Sequence, residues 1–334
     1  MGALSSFPAF FRQHRRRMRN VLLGALAVLI LLAVLYSYLF GPSAEYAQAE
    51  SFIIEPGTPT AEVARSLKEE GFVKSVWVTR IVLASKADGR EIRPGGYDIG
   101  KQMDLWTISE IFSAPPHLVF VTIPESLRKE EIGELLAEEL FWDEEKKQEW
   151  EHATTMDADL TEGVYYPDTY LIPGDQSPAS IAARLRGRFA DVFAPYAEEA
   201  REKGMDWNTV LTLASLVDKE AGPNDKELVA GILWNRVERD MLLQVDATLQ
   251  YIRGSEEDWW PVPKSSDKYL DSPFNTYKYS GLPPHPINNP REESVKAVLN
   301  PTPTNCLFYI HADQEIYCSV TYAGQEANVD RYLR

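Results

Sequence analysis

The run Val21–Phe40 constrains this chain more than any other feature, because it is twenty residues long, uncharged and almost wholly apolar. At 1.5 Å of helical rise per residue, such a run crosses the ~30 Å hydrocarbon core of a bilayer. A cleaved signal peptide is the alternative, but signal cores usually hold roughly 7 to 15 apolar residues, so a retained anchor is favoured. Five arginines (Arg12, Arg15, Arg16, Arg17 and Arg19) precede the run with no lysine or acid among them, and Glu45 and Glu50 follow it. By the positive-inside rule this asymmetry puts the N-terminus in the cytoplasm and everything after Gly41 outside. The expected layout is a basic cytoplasmic tail over 1–20, a transmembrane helix over 21–40 and an exported remainder, single-pass in the cytoplasmic (inner) membrane.

The exported part is acidic. Only 29 of the 34 basic residues fall in 41–334, against all 50 acids, which leaves a formal charge of −21 there. Nucleic acids and anionic lipids are bound by Lys and Arg that neutralise phosphates, so a nucleic-acid partner is excluded for the main body. Two cysteines occur, Cys306 and Cys318. Residues 306–321 alternate like a hairpin, and a loop at His311, Ala312 and Asp313 would set the two cysteines opposite each other. A disulfide in an oxidising compartment is one outcome, and two reduced thiols in a buried hairpin are the other. The five histidines are scattered and no CxxC pair occurs, so neither a structural metal nor a cofactor is expected.

Residues 50–115 read as a small α+β module. A strand over 51–54 ends at Pro56-Gly57, a helix starts at Thr60, a second helix runs over 75–85, and Pro94-Gly95-Gly96-Tyr97 turns into another strand, with one more helix over 105–113. Pro42–Ala49 reads as a short linker. Residues 116–334 read as a second, mostly helical domain. It opens with a strand over 118–123 and an acidic helix over 128–140, then has long helices over 178–193, 206–221 and 224–240. Loops rich in Pro, Trp and Tyr follow over 254–290, and a terminal β-hairpin closes the domain. The fold class is therefore α+β behind one N-terminal transmembrane helix. The aromatic loops suit either a sugar-binding wall or simple loop anchoring.

The helix after Asp206 carries Val210, Leu213, Ala214, Val217 and Ala221 on one apolar face and stops at Gly222-Pro223. Glu220 borders that face, while Lys219 points the other way. A carboxyl against apolar walls resists ionisation, which suits a general acid at neutral pH. Periodicity alone does not separate this role from that of a solvated boundary glutamate.

Leu213-Ala-Ser-Leu-Val-Asp-Lys-Glu-Ala-Gly222 resembles the core motif of the endolytic murein transglycosylases, the MltG or YceG-like family. Four further pieces stand in the family's order: Glu162-Gly-Val-Tyr-Tyr-Pro-Asp-Thr-Tyr170, Leu233-Trp-Asn-Arg-Val237, Leu243-Gln-Val-Asp-Ala-Thr248, and Phe274-Asn-Thr-Tyr277 followed by Gly281-Leu-Pro-Pro284. The match runs over residues 51–311 and includes the anchor. The resemblance implies a lyase that cuts nascent glycan strands between N-acetylmuramic acid and N-acetylglucosamine, leaves 1,6-anhydromuramic ends and so limits strand length.

One glutamate suffices for that chemistry, and the resemblance assigns it to Glu220, the only glutamate in the core motif. Asp218, where the family commonly has glutamate, would be a supporting residue counted with the substrate contacts. Gln244, Asp246, Asn275, Thr276 and Tyr277 would line the glycan cleft, while Asn235 and Arg236 tie helix to loop and Asp168 caps its aromatic turn. The 50–115 module would be LysM-like, and peptidoglycan synthases would be partners. The chain departs from the family at the C-terminal hairpin, where Ile316-Tyr-Cys-Ser319 and Gln325-Glu326 replace histidines and a phenylalanine, and at His285. A non-catalytic glycan-binding scaffold and a water-using muramidase with a second carboxylate, Asp218 or Asp246, are the competing readings.

Overall fold

The computed structural model describes residues 7–86, 92–156 and 161–334, with side chains from residue 18 onward. Arg12, Arg15, Arg16 and Arg17 of the basic tail thus lie outside the described side chains. The chain divides into two compact units, Met1–Phe120 and Val121–Arg334.

The first unit begins with α1 (Phe7–Phe40), whose stretch Met18–Phe40 is long and apolar enough to cross a membrane by length and composition. After it come β1 (Glu50–Ile54), α2 (Thr60–Glu69), α3 (Val76–Lys86), β2 (Gly95–Ile99) and α4 (Leu105–Ile111). β1 and β2 pair antiparallel with Glu50 opposite Ile99 and Ile54 opposite Gly95. The glycines that were expected to form a turn before β2 instead lie within it. Gly96 faces Leu118 at the start of β3 (Leu118–Thr122), and a Cβ on Gly96 would sit 2.7 Å from the Leu118 side chain, so only glycine fits that approach. Phe52, Ile54, Val63, Leu67, Phe72, Tyr97, Ile99 and Ile108 fill the core between this sheet and the helices. Asp104 caps α4 by accepting from the Thr107 N–H at 2.8 Å.

The second unit holds α5 (Lys129–Glu139), α6 (Glu144–Thr155), β4 (Thr169–Pro173), α7 (Pro178–Glu202), α8 (Trp207–Glu220), α9 (Lys226–Val237), α10 (Asp246–Arg253), α11 (Glu292–Leu299), the hairpin strands β5 (Phe308–Ala312) and β6 (Glu315–Ser319), and α12 (Tyr322–Tyr332). Among these, α6, β4, α10, α11 and α12 have no counterpart in the sequence reading. α7 runs nine residues past its expected end at Phe193. Pro195 costs one backbone hydrogen bond, but the neighbouring Phe193 ring packs against those of Tyr196 and Trp207, and the helix continues to the buried Ala200.

α8 is the centre of this unit. The apolar spacing suggested one buried face, yet every residue from Val210 to Asp218 is buried, because α7, α9, α10 and α11 all pack on it. Asp206 caps its start by accepting from Thr209 N at 2.8 Å. The aromatic loop over 254–290 is anchored at α5: the Trp259 and Trp260 indoles donate to Glu134 and Glu131 at 3.0 Å, and the Arg128 guanidinium just before α5 lies 4.8 Å over the Trp259 ring. Trp259 and Trp260 thus anchor the loop, while Tyr269 and Tyr279 of the same stretch stay exposed.

Candidate active site

Glu220 is the last residue of α8, just past the buried stretch Val210–Asp218. Its carboxyl is half-buried, and Oε2 accepts a hydrogen bond from the Tyr309 hydroxyl on β5 at 2.9 Å. Burial pushes the Glu220 carboxyl above its ordinary value, and the nearby charge of Asp246 pushes the same way. The Tyr309 hydrogen bond, the Ala247 N–H at the start of α10 and His311 oppose that rise without cancelling it. The Tyr309 hydroxyl is itself raised well above the usual tyrosine value by burial and by Glu220, so it remains a donor.

Two loops frame the carboxyl, and Arg236 on α9 fastens both. Its guanidinium donates to the Leu307 carbonyl before β5 and to the Leu243 carbonyl before α10, each at 2.6 Å. Asn235 adds bonds to the carbonyls of Thr304 at 2.8 Å and Cys306 at 3.1 Å. These two residues tie helix to loop, as their place in the motif suggested. Asp168 likewise accepts from Thr169 N at 2.8 Å within its own turn.

The residues carried over as glycan contacts separate into two groups. Asp246 is exposed at the start of α10 and accepts from the Tyr277 hydroxyl at 2.6 Å, and both act electrostatically on or beside Glu220. Gln244 is exposed on the same edge, in a left-handed conformation (φ 52°) fixed by its N–H bond to the Thr276 carbonyl at 3.1 Å. Asn275 and Thr276, by contrast, are buried. Asn275 turns its amide onto the carbonyls of Lys268 and Leu270, and Thr276 bonds Val245 N at 3.0 Å and Thr248 Oγ1 at 2.9 Å. They build the loop and offer a ligand no side-chain surface.

Asp218 requires the same correction. Its side chain has no solvent exposure and accepts from Arg291 Nε at 2.9 Å, Ser294 Oγ at 2.6 Å and Ser126 Oγ. One step along α8 turns a side chain by about 100 degrees and two by about 200, so residues 218 and 220 face opposite sides. Asp218 is therefore a buried anchor for the start of α11 and cannot serve as a second cleft carboxylate. Lys219 is not free in solvent either, since its ammonium lies 3.6 Å over the Trp260 ring.

Three contributors escaped the sequence reading: Tyr309, His311 and Asp225. His311 Nε2 and Asp225 Oδ2 are 2.9 Å apart, and the His311 ring stands edge-on to Tyr309 at 5.7 Å. The hairpin that brings Tyr309 and His311 here has its turn at Asp313–Gln314, both with positive φ (51° and 65°). The expected loop at 311–313 is displaced, so Cys318 faces Tyr309 rather than Cys306. Cys306 and Cys318 are nevertheless joined by a disulfide, with Cα atoms 5.9 Å apart.

The model of a family described as YceG-like matches residues 52–331. Endolytic murein transglycosylases of two Streptococcus pneumoniae strains, D39 and R6, are each 31% identical over 173 residues, which is 51% of this chain. The chain spans 31% of the length of those pneumococcal relatives. The endolytic murein transglycosylase of Bacillus subtilis is 26% identical over 306 residues, covering 84% of each chain. Among solved structures, a YceG-like protein of Listeria monocytogenes superposes with a TM-score of 0.57 at 25% identity, over 84% of this chain and 98% of that one.

Proposed function

The chain belongs to the YceG-like family, and from that premise we propose that it is a membrane-anchored endolytic lytic transglycosylase acting on peptidoglycan, with Glu220 as its single catalytic acid and base. The observation that carries this reading is the Glu220 carboxyl itself. It is half-buried at the end of α8, raised by burial, held through Oε2 by Tyr309, and bordered by the exposed Asp246 and the half-buried Tyr277, with Gln244 exposed two residues before Asp246.

The protonated carboxyl gives its proton to the glycosidic oxygen as the bond from muramic C1 breaks. The carboxylate then takes the proton of the C6 hydroxyl, whose oxygen closes on C1 to leave a 1,6-anhydro end. No water is consumed and no second carboxylate is needed, in contrast to retaining and inverting hydrolases. The burial of Asp218 supports this route over a two-carboxylate one. Tyr309 is a positioning residue: it occupies Oε2 in both protonation states and keeps the carboxyl plane fixed between the two proton transfers.

The remaining assignments are part of the same proposal. Residues 1–20 form a cytoplasmic tail, 21–40 span the cytoplasmic membrane with the N-terminus inside, 50–115 form a LysM-like module that docks glycan, and 116–334 cut nascent strands, with peptidoglycan synthases as partners. The strand–helix–helix–strand order of 50–99 supports the module, and the disulfide supports an oxidising, extracytoplasmic location. The test is release of soluble fragments from purified peptidoglycan by the full chain in detergent. Release by wild type and none by Glu220→Gln is the expected result. Equal release by both would remove Glu220 from the chemistry, and no release by either would leave a glycan-binding scaffold.

A further inference from the structure

Almost no chain separates the apolar helix from the folded module of the first unit. Gly41 N still bonds back to Ser37 O at 3.0 Å, and by Ser43 and Ala44 the backbone donates to the Lys101 carbonyl at 3.0 and 2.9 Å. The Ser43 hydroxyl bonds the Gly71 carbonyl at 2.6 Å, so the start of the expected 42–49 linker is part of the module. Leu39 and Phe40 pack against the module's core.

Contacts also reach back along the helix. Trp106 on α4 donates from its indole to the Tyr36 hydroxyl at 2.9 Å and stacks on Phe40 with ring centres 5.6 Å apart and planes 4° from parallel. The Lys74 ammonium sits 5.5 Å over the Tyr38 ring, which brings the chain just before α3 to the same level. Tyr36 lies four residues before Phe40, about 6 Å along the axis. Whatever depth Tyr36 takes in a bilayer, Trp106 shares.

In the module beyond this helix Trp106 is 38% exposed and, one turn apart on α3, Trp77 is 72% and Ile81 49% exposed. Scattered exposed apolar residues need no explanation, but Trp106 touches the end of a membrane-length helix, and Trp77 follows three residues after Lys74, which reaches Tyr38 of that helix. Tryptophan and tyrosine favour the membrane interface, where the ring body is apolar and the polar end stays wet.

We infer that Trp106, Trp77 and Ile81 form a lipid-docking surface that rests in the headgroup layer of the bilayer spanned by α1. The inference rests on the anchor reading. Its occupant is the apolar boundary of that layer rather than anionic headgroups, since the exported body is acidic. The module then lies on the membrane instead of swinging on a tether.

The test places nitroxide labels on Trp77→Cys and Ile81→Cys, one at a time, in the full chain reconstituted in phosphatidylcholine nanodiscs. The native cysteines are already bonded to each other. A third label on Leu29→Cys reports the anchor itself. Collision with oxygen, which concentrates in lipid, is compared with collision with a water-soluble nickel chelate, against the same label on a soluble peptide. Oxygen-to-nickel ratios several-fold above the peptide at 77 and 81, and higher still at 29, are expected. Water-like ratios at 77 and 81 with a deep label at 29 would overturn the docking and leave the anchor. A water-like label at 29 would overturn both. Labels at 77 and 81 shielded from both colliders would mean that protein, not lipid, covers this face.

Discussion

Glu220 and Asp218 stand two residues apart on one helix, and the structure gives them opposite environments. Replacing Asp218 by Ala leaves Arg291 without its partner, and Arg291 is only 34% exposed, so it rehydrates in part. The expected loss is about 3 kcal/mol of unfolding free energy by urea titration, at the low end for a broken buried pair. Normal stability with weakened glycan binding would instead return Asp218 to the cleft. For Tyr309→Phe, the removed hydrogen bond is one that lowers the Glu220 carboxyl, so its value rises further. A general acid works only while protonated, so the limb where turnover falls with rising pH moves to higher pH. The plateau of kcat falls about tenfold, the worth of one hydrogen bond to a charged group. An unmoved limb in the pH profile would make Tyr309 merely structural. Because the folded Glu220 carboxyl is raised, its contribution to stability is full below the unfolded value and is lost as pH rises through the folded one. Glu220→Gln is therefore expected to melt above wild type near pH 8, with the gain vanishing in acid, as read by thermal unfolding at both pH values. The motif singles out Glu220 as the candidate, and its place at the end of the helix was legible from the Gly222-Pro223 stop. The roles of Asn275 and Thr276 were not, since an amide or hydroxyl can serve a sugar or close its own loop and spacing does not say which.

At the scale of elements, the hairpin shows why register is harder to read than alternation. Asp313-Gln314 lacks the glycine that usually marks a two-residue turn with positive φ, so the alternation around residue 312 suggested a three-residue loop. Moving the turn to 313–314 changes which residues oppose each other, and it places Tyr309 and His311 beside Glu220. The eight-residue α10 was also illegible, since it is too short to show a period and has no side-chain cap. Its position matters because it carries Asp246 and the Ala247 N–H to the carboxyl. The disulfide joins the approach to β5 with β6 across a separation of 12 residues. Replacing both cysteines by serine is expected to cost roughly 3 kcal/mol in chemical unfolding, by the loop-closure relation. Turnover should fall with it, because Tyr309 rides on the loosened hairpin. Unchanged stability would mean that the bond is dispensable to the hairpin.

For the whole molecule, the α+β class and the apolar helix were legible from composition and period alone, because a bilayer-length apolar run and alternating strand and helix patterns need no partner to be read. The buried all-round packing of α8 needed the full set of neighbours, and no local pattern announces it. The full chain is expected to stay with membranes through high-salt and alkaline washing, whereas deletion of residues 1–40 releases it. Release of the intact chain by salt alone would contradict an anchor. The central claim is that Glu220 cuts a glycosidic bond without using water. Its most direct test is digestion of peptidoglycan in water enriched in oxygen-18, with mass analysis of the new ends. Wild type should yield 1,6-anhydromuramic ends free of the heavy isotope, and Glu220→Gln should yield none. Reducing ends carrying oxygen-18, or anhydro ends that persist in Glu220→Gln, would contradict it.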